Sequence, residues 1–157
     1  MIKTVYIDAN IIFNVWRREI NPSTHENYSS GSKKLLKEIV RGRITGIILS
    51  TTAMELLHGV RVDAEVSSGM DPAFAIKQAE AQIASTGLKT AVPDSIVMTM
   101  SYDILAKLHI DPFDAILISA AIKDGADAVI SRDKKLKKKA SKLIPVLTPE
   151  EFLFGGK

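Results

Sequence analysis

Residues 4–8, Thr4-Val5-Tyr6-Ile7-Asp8, form an apolar, aromatic and β-branched run that ends on a carboxylate. The run does not alternate polar with apolar residues. It therefore predicts a strand buried on both faces, as a parallel sheet covered by helices requires. Gly46–Leu49, Ala128–Ile130 and Ile144–Leu147 repeat the pattern. Helical patterns lie between these runs: about Ala9–Arg18, about Ser32–Arg41 closed by Gly42, and one starting near Thr52. Asp71-Pro72 and Asp111-Pro112 each look like an N-cap followed by proline at the first helical position. The second of these helices is expected to end at Gly125. Asp94-Ser95 opens another helix that runs to about Leu108, and a short basic helix covers about Lys134–Lys142. Strands alternating with helices predict an α/β fold, a three-layer α/β/α sandwich around a mostly parallel central sheet.

Working outward, Asn21–Gly31 is rich in Ser, Asn, Pro and Gly and reads as a loop or helix break. Little strand signal falls between Glu55 and Leu108, so a helical arm is expected at about 60–92. With 157 residues, a single domain over 1–157 is expected. A 46% hydrophobic and 25% charged composition is ordinary for a globular chain. No cysteine is present, which excludes disulfides, zinc-thiolate sites, iron–sulfur clusters and thiol nucleophiles. The longest uncharged run, Ile44–Met54, has 11 residues, whereas a membrane helix needs about 20. The N-terminus leads straight into a strand without a signal-peptide pattern. A cytoplasmic protein with no membrane partner is expected.

The net charge of +3 is unevenly placed. Arg132–Lys142 carries seven basic residues against one acid, a local +6 that leaves −3 for the rest. Such a patch is either a footprint for a polyanion or a solvated helix face.

In parallel α/β sheets, function collects at the carboxyl ends of the strands. Asp8 follows the first strand there. Glu55 lies about one turn into the helix after Gly46–Leu49, Asp114 lies in the first turn of the helix opened by Asp111-Pro112, and Asp133 follows Ala128–Ile130. Singly, each has a structural use: Asp8 and Asp133 as N-caps, Glu55 and Asp114 at capping-box spacing. Together they would form a self-repelling cluster beside intensely apolar runs, and buried carboxylates must be paired, protonated or bound to metal. An oxygen-only donor set suits Mg²⁺ or Mn²⁺. Carboxylates sharing such ions are a known solution for in-line attack on phosphodiesters.

These residues resemble a PIN domain. The carriers are Tyr6-Ile7-Asp8-Ala9-Asn10-Ile11, Thr52-Ala53-Met54-Glu55-Leu56-Leu57-His58-Gly59, Asp114-Ala115-Ile116-Leu117-Ile118-Ser119-Ala120-Ala121 and Val129-Ile130-Ser131-Arg132-Asp133. Each is short, but all four occur in the family's order and span nearly the whole chain. The resemblance implies that Asp8, Glu55, Asp114 and Asp133 hold one or two Mg²⁺ or Mn²⁺ ions and carry catalysis. It implies that Asn10 and Ser131 support those acids by hydrogen bonds. Ser131 stands where Thr is commoner, and Asp111, one turn before Asp114, is an alternative ligand.

The implied activity is a metal-dependent ribonuclease acting on single-stranded RNA. Many members of this size are toxins of VapBC-type toxin–antitoxin pairs, so an antitoxin partner and a homodimer are expected. Arg132, Lys134 and Lys135 are expected to receive the RNA backbone. Two alternatives stay open. A haloacid-dehalogenase-like phosphohydrolase would use Asp8 as nucleophile with Ser50 behind it. A non-catalytic RNA-binding PIN-like module would keep the acids as caps.

Overall fold

The structure is a computed structural model and describes residues 2–19, 25 and 27–155. Among the described residues its sheet has five strands: β1 (Lys3–Ile7), β2 (Ile44–Leu49), β3 (Lys89–Ala91), β4 (Ala128–Ile130) and β5 (Val146–Leu147). The order is β3-β2-β1-β4-β5, and every pairing is parallel. From β1 the chain builds outward through β2 and β3, then crosses back to lay β4 and β5 on the other side. The winding direction reverses between β1 and β4, which is where such sheets open a crevice at their carboxyl ends.

The helices are α1 (Ala9–Trp16), α2 (Tyr28–Val40), α3 (Ser50–Asp63), α4 (Pro72–Ser85), α5 (Ser95–Leu108), α6 (Pro112–Lys123), α7 (Lys134–Ala140) and α8 (Pro149–Phe154). They cover both faces. Alternation along β1 sends Val5 and Ile7 into one core with Ile11, Ile12, Leu35 and Leu56, and sends Tyr6 into the other with Leu117, Ile118 and Leu136. The three-layer architecture with a parallel sheet is as expected.

Caps set the helix starts. Asp111 Oδ1 accepts from the Phe113 N–H at 2.8 Å, Asp94 Oδ1 from Val97 at 2.9 Å, and Asp71 Oδ2 from Phe74 at 3.0 Å. Proline at the first position of α4 and α6 costs nothing there, because that N–H has no helical partner.

Four expectations need correction. Lys89–Ala91 is a strand; it is three residues long and mostly exposed at the sheet edge, so no apolar run announces it. Within the 60–92 stretch, α3 continues through a π-helical turn at Ala64–Ser68 and then packs against α4, but the last residues belong to the sheet. The expected loop Asn21–Gly31 lies partly outside the described residues. Its Tyr28–Gly31 portion is the first turn of α2, capped by Asn27 Oδ1 accepting from the Ser29 N–H at 3.0 Å. Gly31 is needed for close approach: a Cβ there would lie 1.7 Å from Glu150 Oε1. The fourth strand run shortens to Val146–Leu147 and is followed by α8, whose capping box, Thr148 with Glu151, is a legible signal that the apolar-run reading passed over.

Candidate metal-binding active site

The register of β1 on β4 places Ile7 opposite Ile130, so Asp8 and Ser131 leave the sheet side by side. Ser131 Oγ donates to Asp8 Oδ2 at 2.5 Å, and Asn10 Nδ2 donates to the same oxygen at 2.6 Å. Asn10 Nδ2 also donates to Ser131 Oγ at 3.1 Å, and the Asp133 N–H donates to that oxygen at 3.0 Å. Four residues from two strand ends are thus locked in one network. Asp133 Oδ1 caps α7, accepting from Lys135 at 2.7 Å and Leu136 at 3.0 Å.

Glu55 reaches the same edge from α3 and Asp114 from the first turn of α6. Their electrostatics show that the acids feel one another. Burial raises the Asp8 carboxyl above its ordinary range, the charge of Asp133 adds to this, and the Ser131 and backbone hydrogen bonds oppose it. Glu55 is an exposed residue, yet its carboxylate is partly desolvated; that raises its pKa first, followed by the charges of Asp8 and Asp111. Asp114 is pushed up to about 7, by burial first and then by Asp8, Asp133, Asp111 and Glu55 in turn. Among the described residues, Asp8, Glu55, Asp114 and Asp133 form no salt bridge with a Lys or Arg.

Among the described residues, no group of three or more acids or histidines stands close enough together to hold a metal ion as placed. The chemistry of the donor set nevertheless fits a hard divalent cation. All the donors are carboxylate oxygens without a basic partner, and burial and mutual repulsion both disfavour the ionised forms of Asp8, Glu55 and Asp114 without a cation. Asp111 caps α6 and contributes charge to the cluster, so the structure brings it near Glu55 and Asp114 as well.

Arg132 departs from its expected place. Its side chain is only 10% exposed and turns inward. Two guanidinium nitrogens donate to the two Glu150 oxygens at 2.8 Å each, Nη2 also donates to the Tyr28 carbonyl at 3.0 Å, and Nε donates to Asn14 Oδ1 at 2.9 Å. The plane lies over the Tyr28 ring, 4.5 Å from its centroid. Sequence reading missed Asn14 and Glu150 as partners, because nothing local links them to Arg132. Lys134 and Lys135 stay exposed on α7.

The family model of the PIN domain matches residues 5–142. The chain belongs to the PIN domain family. That membership displaces the haloacid-dehalogenase-like alternative. No curated protein sequence matches the chain. Several solved structures share the PIN fold. A toxin–antitoxin complex from Klebsiella pneumoniae aligns with TM-score 0.63 and 17% identity over 92% of this chain and 97% of that one. VapBC2 from Rickettsia felis, bound to a promoter DNA fragment, gives 0.63 and 14% over 92% and 98%. VapC20 from Mycobacterium tuberculosis, described as a sarcin–ricin loop cleaving toxin, gives 0.61 and 12% over 85% and 93%. At these identities the likeness is one of fold. Among the described residues, no helix is long and apolar enough to cross a membrane.

Proposed function

We propose that this PIN domain is a Mg²⁺- or Mn²⁺-dependent ribonuclease that cleaves single-stranded RNA, the toxin of a VapBC-type pair. The observation that carries the reading is the uncompensated crowding of Asp8, Glu55, Asp114 and Asp133; burial first, and then the charges of its neighbours, leave Asp114 with a pKa of about 7. Carboxylates spend free energy on such crowding where a cation relieves it. The solved toxins with this fold support the choice of substrate and of an antitoxin partner, and an RNA substrate implies a cytoplasmic place of action.

In this reading the four acids hold the ion, which when bound activates water and steadies the leaving oxygen. The chain's own residues prepare that role. Asn10 and Ser131 fix the Asp8 carboxylate through its Oδ2. Ser131 also ties down the backbone of Asp133, so two acids share one hydroxyl as their positioning group. Lys134 and Lys135, at the start of α7, draw the RNA backbone toward the acids. Arg132 has no free face for phosphate; its part is to hold the β4–α7 corner in place. The homodimer remains part of the reading, and exposed Val62, Val66, Met70 and Phe74 give the arm an apolar surface for a second copy.

The test is cleavage of single-stranded RNA by the purified chain with Mg²⁺ or Mn²⁺, beside an EDTA control and Asp8→Asn. Cleavage that needs the ion and disappears in the variant supports the reading. Undiminished cleavage by Asp8→Asn would sink the metal site. RNA binding without cleavage by folded, inhibitor-free protein would leave the binding-module alternative standing.

A further inference from the structure

Asn10 and Asn14 lie one turn apart on α1, and both reach the Ser131–Asp133 segment after β4. Asn10 holds its start: Nδ2 donates to Ser131 Oγ at 3.1 Å, and Oδ1 accepts from the Arg132 N–H at 3.3 Å. Asn14 holds the Arg132 side chain, with Oδ1 accepting from Nε at 2.9 Å. Asn14 is only 3% exposed, and its Nδ2 donates to Glu19 Oε2 at 2.5 Å. A buried amide must satisfy both ends, so its oxygen is committed to Arg132 and its nitrogen to Glu19.

From the other side, Glu150 of α8 takes the Arg132 guanidinium fork to fork. Room for that carboxylate comes from Gly31 inside α2, where a Cβ would overlap it. Glycine within a helix is less favourable than alanine, so α2 is locally weakened to admit Glu150. A mostly buried ion pair is often no more stabilising than apolar side chains of the same volume. Stability alone therefore explains this arrangement poorly. What the clamp fixes is direction. Arg132 stands between Ser131, whose hydroxyl donates to Asp8 at 2.5 Å, and Asp133, whose N–H donates to that hydroxyl at 3.0 Å. A shift of the Arg132 backbone would move both.

We propose that Asn14 and Glu150 are positioning residues of the acid cluster: by clamping Arg132 from α1 and α8 they set the aim of Ser131 and Asp133, and with it the cluster's affinity for a divalent cation. The proposal rests on the metal-dependent reading for its ion. Both residues act through Arg132 rather than on the acids, and Glu150 brings the last helix to bear on a site built at the strand ends.

The test uses the full-length chain without RNA. Mn²⁺ is titrated by calorimetry into the parent, Asp8→Asn, Asn14→Ala, Glu150→Gln and a paired replacement, Arg132→Met with Glu150→Leu. Melting temperatures are taken in EDTA. The paired replacement separates aim from stability, because apolar side chains fill the space without stranding a charge. It should melt above Glu150→Gln. Its Mn²⁺ affinity should nevertheless stay about tenfold below the parent's, as should that of Asn14→Ala and Glu150→Gln, the lower end of what losing an orienting group costs. Affinity that returns with melting temperature in the paired replacement would overturn the proposal and make the clamp purely structural. Parent affinity in every clamp variant would overturn it too. Should the paired replacement fail to fold, Arg132→Lys replaces it: an ammonium keeps the charge but not the fork, and parent affinity there would overturn the proposal.

A readout without metal keeps the two readings apart. Exchange of the Asp133 amide, followed by NMR in EDTA, should quicken about tenfold in the paired replacement, or in Arg132→Lys where that variant stands in, while β1 amides keep their parent rates. Unchanged Asp133 exchange would overturn the clamp. No Mn²⁺ binding by the parent, or equal binding by Asp8→Asn, would strike the metal-dependent reading and the ion with it. Faster Asp133 exchange would then keep the clamp as what aims Ser131 and Asp133.

Discussion

The Arg132 guanidinium and the Glu150 carboxylate face each other fork to fork, with two hydrogen bonds of 2.8 Å, and join the corner after β4 to α8. Burial works against ionising Glu150, but the Arg132 bond and charge, together with backbone and Thr148 hydrogen bonds, hold its carboxyl below the usual range. Removing one partner strands a charge in a mostly buried place. A fully buried pair typically loses roughly 3–5 kcal/mol when broken. Glu150 is a third exposed, so Glu150→Gln should cost about 2 kcal/mol in urea denaturation. Arg132→Lys should cost more than half as much, since an ammonium cannot make the paired contact. If the pair instead sits idle on a tolerant surface, both variants will melt with the parent chain.

Ser131 makes a sharper prediction. Its hydroxyl donates to Asp8 and accepts from the Asp133 backbone, so its loss loosens two acids at once. Groups that orient metal ligands typically matter by roughly 10–100-fold in affinity or activity. Ser131→Ala should lower metal-dependent cleavage by about that factor and raise the Mg²⁺ concentration needed for half-maximal rate. Ser131→Thr, which keeps the hydroxyl, should restore both. Failure of Thr to rescue would mean that packing, not the hydrogen bonds, makes Ser131 matter.

Asp114 links the site to pH. Its carboxyl titrates near 7 in the folded chain against 3.8 as its reference, so the native state binds the extra proton. Stability therefore falls as pH rises from about 4 through 7, because the folded chain must then accept an unfavourable charge. Asp8 and Glu55 are shifted in the same direction. In EDTA, the difference in melting temperature between pH 5 and pH 8 should favour pH 5, and Asp114→Asn should shrink that difference. Divalent cation should raise the melting temperature chiefly at pH 8, where the acids are ionised and ligand binding adds to stability. A melting temperature in EDTA that climbs from pH 5 to pH 8 would contradict the crowding.

Much of this was legible in sequence because the signals are local. Four apolar runs marked β1, β2, β4 and β5, and two Asp-Pro pairs fixed the starts of α4 and α6. Asp8, Glu55, Asp114 and Asp133 could be nominated because strand ends and first helical turns share one edge of a parallel sheet. The unread parts are those set by tertiary contact. β3 is a polar edge strand whose pairing with β2 alone makes it a strand. Arg132 looked like one more member of a basic run. Its inward turn is decided by Glu150, Asn14 and the Tyr28 carbonyl, which the fold brings from three other helices. Gly31 read as loop composition, whereas it is glycine because Glu150 needs the space.

That reassignment leaves Lys134 and Lys135 as the residues to carry the electrostatic claim. Both are exposed at the start of α7, immediately after Asp133, so a phosphate near the acids lies within reach of their flexible side chains. Each phosphate contact on a single strand contributes about 0.7 to the slope of log affinity against log salt, through release of bound counterions. Lys134→Glu with Lys135→Glu should therefore flatten the slope by about 1.4 and weaken binding most at low salt. Lys138→Glu, farther along α7, should matter less if proximity to the acids is what counts. Measured by anisotropy from low to moderate salt with Asp8→Asn protein, an unchanged slope in the double variant would reduce the basic helix to a solvated face. A larger effect from Lys138 than from the pair would move the RNA path to the outer side of α7.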